Sequence, residues 1–251
     1  MKKFLLLSAI FAVLLFAYSP AEAIVRVEGR YWFTELSSKV QASTPGLTGT
    51  EIDVINTLGM DKSKNFGEGR VELHLANHRL RYSYMLLSWE GHKTIAQSVN
   101  FAGQPYTANT RVDSKLDVVY QRVGYRYDII DTIGKQLGII FDFKHIGIDT
   151  NLRAPGINQS STVAVPVPTI GLGGQMGLPL HFSISAEASG IASGGDYLID
   201  GEASINFTPV SFAAISGGYR VFDMRVKSAG NAGNKMDFTI QGPFVTVNVE
   251  F

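Results

Sequence analysis

The sequence predicts an all-β fold, a closed antiparallel transmembrane up-and-down β-barrel of ten strands, with eight or twelve strands as the alternatives. Three observations predict it. Segments of alternating polar and apolar residues recur at the period of two that marks a β-strand. Most of them reach the length of about 9 to 11 residues that a tilted strand needs to cross a bilayer, whereas soluble strands are commonly about 5 to 6 residues long. Short and long connections alternate, as in membrane barrels.

Ten candidate strands follow one another along the chain. They lie near residues 24–36, 66–76, 79–91, 111–129, 136–150, 162–177, 180–191, 196–208, 212–226 and 237–251. The connections after the second, fourth, sixth and eighth strands are short, whereas residues 37–65 and 92–110 form long connections. The Gly-rich connection at 192–196, after the seventh strand, is an exception to this alternation because it is short. This arrangement predicts that tight turns face the periplasm and that long loops face the exterior.

The alternating rows predict which face of each strand contacts lipid. In the second strand, Val71, Leu73 and Leu75 alternate with charged residues. A soluble β-sandwich also alternates, but ten long strands without a covering helix would leave two open edges, which closure removes. An Arg or Lys that faces lipid at mid-membrane costs about 2 to 4 kcal/mol, so the charged rows are expected to face the lumen. With an even number of strands, the first strand pairs antiparallel with the last.

The inward rows contain a polar cluster, the main candidate for a functional site. Its members are Arg26, Glu28, Arg30, Arg70, Glu72, His74, Arg122, Arg126, Asp142, Lys144, Glu187, Glu202 and Arg220, joined on the same parity by Glu68, Arg81, Asp128 and Asp200. These charges can pair with one another or line a pore. Eight strands leave an interior just filled by side chains and about 16 give an open channel. Ten strands with mixed charges therefore favour a largely plugged lumen.

Residues 1–23 are predicted to be a secretory signal that is cleaved before Ile24. Lys2 and Lys3 precede an apolar run at 4–16, and small residues at 21 and 23 form an A-x-A site. The run is shorter than the roughly 20 residues of a membrane-spanning helix. Residues 24–251 then form a single barrel domain. They contain 20 basic and 21 acidic residues and no cysteine, a balance that argues against a nucleic-acid partner.

The segment QGPFVTVNVEF, at 241–251, resembles the assembly signal of Gram-negative outer-membrane β-barrel proteins. The matching residues are Gln241, Gly242, Val245, Val247, Val249 and Phe251. The resemblance implies a location in the cell outer membrane, with outer-membrane lipids and the barrel-assembly machinery as partners. The motif occupies only these eleven residues and names no subfamily. No cofactor is expected, and the oligomeric state is left open.

Catalytic and metal-binding patterns are weak in this sequence. The five histidines, at 74, 78, 92, 145 and 181, show no paired ligand spacing, so no metal site is predicted. GLGGQMG, at 171–177, differs from a phosphate-binding loop because Met176 takes its last glycine position and no helical pattern follows. His92 is the loop-end histidine with polar neighbours, but no Asp follows it in the sequence. No catalytic residue is predicted.

These observations predict a non-enzymatic structural or surface-binding barrel that presents a long first loop, 37–65, outside the cell. The aliphatic residues of TEIDVINTLGMD, at 50–61, suggest an ordered lid that can contact a ligand. Deletion of residues 40–62 is expected to leave assembly intact. A narrow porin-like channel for small solutes is the first alternative, and a lipid-modifying surface enzyme is the second.

Overall fold

The computed structural model describes residues 24–229 and 234–251, so the predicted signal sequence at 1–23 lies outside the described residues. The strands are β1 (Ile24–Gln41), β2 (Ile52–Asp53), β3 (Ser63–Leu75), β4 (His78–Thr94), β5 (Val99–Phe101), β6 (Gln104–Tyr106), β7 (Arg111–Thr132), β8 (Lys135–Ala154), β9 (Ile157–Gly177), β10 (Phe182–Ser193), β11 (Asp196–Val210), β12 (Ala213–Ala229) and β13 (Asn234–Glu250). Within these residues, no helix is long and apolar enough to cross a membrane.

Ten of these strands form a closed antiparallel barrel, which confirms the predicted fold and strand number. Each barrel strand pairs with its neighbour in sequence, in the order β1, β3, β4 and then β7 to β13. The barrel closes where β13 pairs with β1, and Phe251 exchanges backbone hydrogen bonds with Val25 at 2.9 and 3.0 Å. The short strand β2 pairs with the end of β1, and β5 and β6 form a separate hairpin.

Gly242 lies at this closing seam, where there is no room for a side chain. A Cβ at this position would lie 1.9 Å from the carbonyl oxygen of Phe33 in β1. The Gly242 carbonyl also accepts a hydrogen bond from Trp32 Nε1 at 3.0 Å. A glycine in the predicted assembly signal thus has a packing reason of its own, the close approach of two backbones.

The first loop is shorter than the predicted range 37–65 and spans residues 42–62. Residues 37–41 continue β1 because Ser38 and Val40 remain buried on its inner face and because Lys39 and its neighbours pair with β13. Residues 63–65 already belong to β3. The second loop contains the β5–β6 hairpin, which the sequence did not predict.

The polarity of the barrel inverts along each long strand. On the outer face of β7, Val123 and Tyr125 are exposed near the turn end, whereas Asp113 and Lys115 are exposed near the loop end. The 22 residues of β7 rise by about 70 Å along the strand. This length exceeds the roughly 25 Å height of the apolar band that membrane barrels carry, so such a band covers only part of the wall. We call the exposed apolar zone near the turn end the belt; on the outer face of β7 it ends between Val119 and Asp117.

The inner face inverts in the opposite sense. Inside the belt, β7 contributes the buried Arg122 and Asp128, whereas towards the loop end it contributes the buried Leu116 and Val118. The loop half therefore packs like a soluble protein, with apolar residues inside and polar residues outside. We call this packed region the loop-end core. Its centre is Trp89, which lies edge-to-face against Phe66 and Phe238 at ring-centroid distances of 4.9 and 6.1 Å.

The first and second loops fold into the loop-end core. Ile52, Val54 and Leu58 of the first loop and Ile95 and Phe101 of the second are completely buried. A local turn orders the first loop, because Asp53 Oδ1 accepts hydrogen bonds from the backbone N–H groups of Ile55 and Asn56 at 3.0 and 2.8 Å. The loop is ordered, as expected, but these aliphatic side chains point inwards and are not available to a ligand at the surface.

Candidate functional site

A network of charged side chains fills the interior of the barrel inside the belt. The network is electrically balanced, with nine basic and nine acidic groups joined by salt bridges of 4.0 Å or less: Arg26, Arg30, Arg70, Arg79, Arg81, Arg122, Arg126, Lys144 and Arg220 against Glu28, Glu68, Glu72, Asp128, Asp142, Glu187, Asp200, Glu202 and Glu250. Every polar lumen residue proposed from the sequence, except His74, belongs to this network. Arg79 was not among the residues predicted to face the lumen, although it lies on the same face of β4 as Arg81.

Arg220 is the central cation of the network. Its guanidinium donates to both carboxylate oxygens of Asp200 at 2.9 and 3.0 Å and to Glu68 at 2.9 Å. The side chain is 1% exposed, and its charge lies over the rings of Trp32 and Tyr120 at 5.0 and 5.3 Å. Arg220 therefore lies where the charged network meets the loop-end core, and its two-point contact with Asp200 fixes its orientation.

Two further groups hold the network together nearer the turn end. Arg30 binds Glu202 through two nitrogens at 2.6 and 2.8 Å. Arg81 bridges Glu72 and Glu187, with closest contacts of 2.8 Å to each. Arg30 reaches Glu202 on β11 and Arg81 reaches Glu187 on β10, which are strands distant in sequence, whereas Glu72 lies directly opposite Arg81 on β3. The inward-facing pairs consequently link opposite walls of the barrel.

Glycines on the inner face make space for these charged groups. A Cβ at Gly124 would lie 2.5 Å from Asp142 Oδ1, and a Cβ at Gly138 would lie 2.5 Å from Asp128 Oδ1. A Cβ at Gly173, from the Gly-rich segment at 171–177, would lie 3.2 Å from Arg126 Nη1. The glycines in these strands thus have a steric role towards the lumen.

His74 lies at the turn end beside two acidic residues. Its Nε2 is 3.6 Å from Asp131 Oδ2, and candidate ligand atoms of His74, Asp128 and Asp131 lie within 4.8 Å of one another. Sequence spacing could not reveal this group because its members come from β3 and β7. Arg79 and Arg126 already bind the carboxylate of Asp128 at 2.6 and 2.5 Å. These two positive charges oppose the binding of a metal cation.

Two arrangements in the structure have components of hydrolytic sites. Ser189 Oγ accepts a hydrogen bond from Lys144 Nζ at 2.7 Å and donates one to Asp142 at 2.9 Å. A Ser–Lys pair can act as nucleophile and base. Here, however, Lys144 is 0% and Ser189 5% exposed. Both groups are enclosed where the charged network meets the loop-end core, which leaves no surface on which a substrate could approach Ser189.

The second arrangement lies on the outer wall near the loop end. His92 Nδ1 and Asp113 Oδ1 are 2.8 Å apart, because the two residues are directly opposite each other on β4 and β7. Asp113 is 21 residues from His92 along the chain, so only the pairing of β4 with β7 reveals it as the partner of His92. The hydrogen bond from His92 holds the pKa of the Asp113 carboxyl below its ordinary value. Both side chains are more than half exposed and stand on a convex wall.

A polar cavity of about 130 Å³ lies below the network and extends to the turn end. Charged residues of β1, β3 and β4 line one side, and neutral residues such as Ser183 and Asn206 line the other together with Glu187 and Glu202. The paired charges of Arg30 and Glu202 are among the residues that line it. Phe244, at the edge of the loop-end core, also lines it.

The residues of the predicted assembly signal all lie on β13 or directly after it. Val245 and Val247 point outwards from the belt, and Thr246 between them is buried in the lumen. Phe251 is 78% exposed, beside the turn end. Tyr125, Tyr127 and Phe207 are also exposed near this end, as an interfacial aromatic girdle requires.

No protein-family model matches the sequence, and no curated protein shows significant similarity to it. Among solved structures, the chain resembles the outer membrane protease OmpT from Escherichia coli with a TM-score of 0.63 and 7% identity, over 91% of this chain and 97% of that one. The translocator domain of the autotransporter NalP from Neisseria meningitidis gives a TM-score of 0.39 at 10% identity, over 96% and 92% of the two chains. Ail, the attachment invasion locus protein of Yersinia pestis, gives 0.38 at 10% identity, over 90% and 99%.

The chain therefore has the fold of the Gram-negative outer-membrane β-barrels, as the terminal segment suggested. At 7% identity, the similarity to OmpT concerns the fold alone.

Proposed function

We propose that this protein is an integral outer-membrane barrel with a closed lumen and a non-enzymatic role, either structural or in binding at the cell surface. The filled interior supports this proposal most strongly. Balanced ion pairs occupy the half inside the belt, and a packed apolar core that includes both long loops occupies the half near the loops. An aqueous path would have to cross both layers.

The free energy needed to open either the charged network or the loop-end core supports a closed barrel. A hydrated ion passing Arg220 would have to separate it from Asp200 and Glu68, and removing one partner of a buried pair costs about 3 to 5 kcal/mol. The loop-end core would then have to admit water among completely buried side chains such as Trp89 and Leu58. An interior with equal numbers of positive and negative charges also offers no excess charge to select an ion.

The proposal extends to the environment and assembly of the protein. The belt faces outer-membrane lipids, and the barrel-assembly machinery recognises the segment that ends at Phe251. The exposed outer valines of β13 and the exposed Phe251 support contact with lipid. They also support recognition by the assembly machinery, because a recognition signal has to be accessible before the barrel closes. Surface binding then involves the outside of the first loop and the neighbouring polar wall, since the aliphatic residues of the loop are buried.

Conductance in planar bilayers tests the closed lumen directly. The purified barrel is expected to give no steady current, while a general porin added to the same bilayer serves as a positive control. A steady conductance that changes when Arg122→Glu or Glu72→Arg reverses a lumen charge would contradict the proposal. That result would favour the first alternative, a narrow porin-like channel, for which the cavity at the turn end is the supporting observation.

A lipid-modifying surface enzyme is the second alternative. The exposed His92–Asp113 hydrogen bond is the observation that favours it, since such a pair can act in acid–base catalysis. Lipid profiles of membranes with and without the protein distinguish the cases. Acylation of lipid A or phospholipid that depends on His92 would establish the enzyme, whereas identical profiles agree with the non-enzymatic role.

A further inference from the structure

One strand of the barrel wall has a free edge near the loop end. β9 pairs with β8 along its whole length, from Lys135↔Met176 to Ala154↔Ile157. Its pairing with β10 stops at Ile170↔Gly190, although β10 itself continues to Ser193. Among the residues that the structure describes, no strand pairs with the other edge of β9 over residues 157–169.

The backbone groups on this edge alternate in direction. Gly177 donates its N–H towards Gly134 on the β8 side, so odd-numbered residues of β9 point to β8 and even-numbered ones point to the free side. Pro166 and Pro168 are even-numbered and have no N–H to offer, which explains why pairing with β10 ends just below them. Above them, Asn158, Ser160, Thr162 and Ala164 each direct an N–H and a C=O away from the barrel strands.

An apolar cleft lies beside this free edge. The inward side chains of β8, such as Ile146 and Ile148, are completely buried, whereas Val163 and Val165 on β9 are only half-buried. The cleft continues to Met224 of β12, and its other lining residues are Val40, Gln41, Ala42, Phe101, Thr150, Ser161, Val226, Asn234, Lys235 and Met236. It is therefore an apolar depression in the wall next to unpaired backbone donors and acceptors.

The free edge lies above the belt. Thr162 is directly opposite Asp149 on β8, and its Oγ1 donates to that carboxylate at 2.5 Å on the exposed outer face. Both polar side chains place this row of the wall in water. The unpaired groups of Asn158, Ser160, Thr162 and Ala164 are therefore accessible from the loop end, not from lipid.

We propose that residues 158–164 of β9 bind an extended peptide of another protein by antiparallel strand addition. The main chain of the peptide would satisfy the unpaired groups, and alternate side chains would enter the apolar cleft. Such a peptide has apolar residues at every second position and polar residues between them. A second copy of the barrel in the same membrane does not fit, because antiparallel pairing of two β9 edges would turn one barrel upside down.

The site goes beyond the proposed function and does not require a closed lumen. Conductance in bilayers would overturn the closed lumen and leave this edge unchanged. Conversely, failure of a peptide to bind here would leave the conductance result unchanged. The two proposals can therefore fail independently.

The test uses a fluorescent seven-residue amidated peptide in which Thr and Val alternate, and measures its anisotropy with the purified full-length barrel in detergent. We expect saturable binding, and about tenfold or more weakening in the variant Ser160→Pro/Thr162→Pro, which removes two outward N–H donors but leaves the β8 ladder intact. The matched control Ser160→Ala/Thr162→Ala keeps both donors and should bind with unchanged affinity. Equal binding by the proline and alanine variants would overturn the proposal.

Modified peptides repeat the test without altering the protein. In an antiparallel pair, residues directly opposite each other have side chains on the same face, so the outward Thr residues of the peptide would donate to β9. N-methylation of the Thr residues is expected to abolish binding, and N-methylation of the Val residues to preserve it. No saturable binding of the parent peptide, or equal loss with both methylation patterns, would overturn strand addition at this edge.

Discussion

Replacement of Arg220 with methionine is expected to lower the free energy of unfolding by about 3 to 5 kcal/mol. Methionine fills much of the same space but leaves the carboxylates of Asp200 and Glu68 buried without their strongest partner. Burial of an unpaired charge is among the largest single-residue penalties in a folded protein. Urea unfolding of the refolded barrel in micelles, followed by tryptophan fluorescence, measures the loss as a shift in the transition midpoint.

Two control variants separate this effect from a general loss of an arginine. Arg225 binds Asp237 at 2.7 Å, but both side chains are substantially exposed, so Arg225→Met should cost at most about 1 kcal/mol. The double variant Arg220→Met/Asp200→Asn removes one charge of each sign, so the network stays balanced, and it should regain most of the stability. If Arg220→Met and Arg225→Met were equally stable, the lumen network would not hold the barrel together in the way we describe.

Replacement of Trp89 with alanine is expected to cost about 3 to 5 kcal/mol, because it leaves a large cavity in the loop-end core. Trp89 is 0% exposed and contacts Phe66 and Phe238, which belong to β3 and β13. The same unfolding measurement reports the loss. Limited proteolysis should in addition show faster cleavage within residues 42–62, because that loop packs on the same core.

Glu90→Ala is the matched control for Trp89. Glu90 is the next residue and points outwards into water, so its removal should change stability by no more than about 0.5 kcal/mol. Similar stabilities for Trp89→Ala and Glu90→Ala would show that the loop half of the barrel is loosely packed. For the same reason, deletion of residues 40–62 is now expected to destabilise the loop end, since it removes Val40, Ile52 and Leu58 from the core.

The strands and their faces could be predicted from the sequence because barrel strands pair with their neighbours along the chain. The period-two pattern therefore predicted the number of strands, their order and the inward direction of residues such as Glu72 and Arg122. Strand ends were less accurate. β1 continues to Gln41 because its inner residues remain buried after the charged pattern stops, and this burial depends on loops that fold back from elsewhere in the chain.

The inversion of polarity was not predicted, although its residues are visible in the sequence. In β7 the same alternate residues face inwards along the whole strand, but they change from charged at Arg122 to apolar at Tyr120 and Val118. A pattern that requires apolar residues on one face along the whole strand does not detect such a change of face. Contacts that depend on cross-strand register, such as His92 with Asp113 and Lys144 with Ser189, need the fold to be known first.

The outer face of β7 is expected to contact lipid near the turns and water near the loops. Because the sequence has no cysteine, single cysteines in β7 can be labelled specifically in the reconstituted barrel. A fluorophore at Val123 or Tyr125 should be quenched by brominated lipid, and one at Asp113 or Lys115 by aqueous iodide. A cysteine at Leu116 should stay unreactive towards a membrane-impermeant thiol reagent. Lipid quenching at Asp113 and Lys115, or rapid reaction at Leu116, would contradict the account.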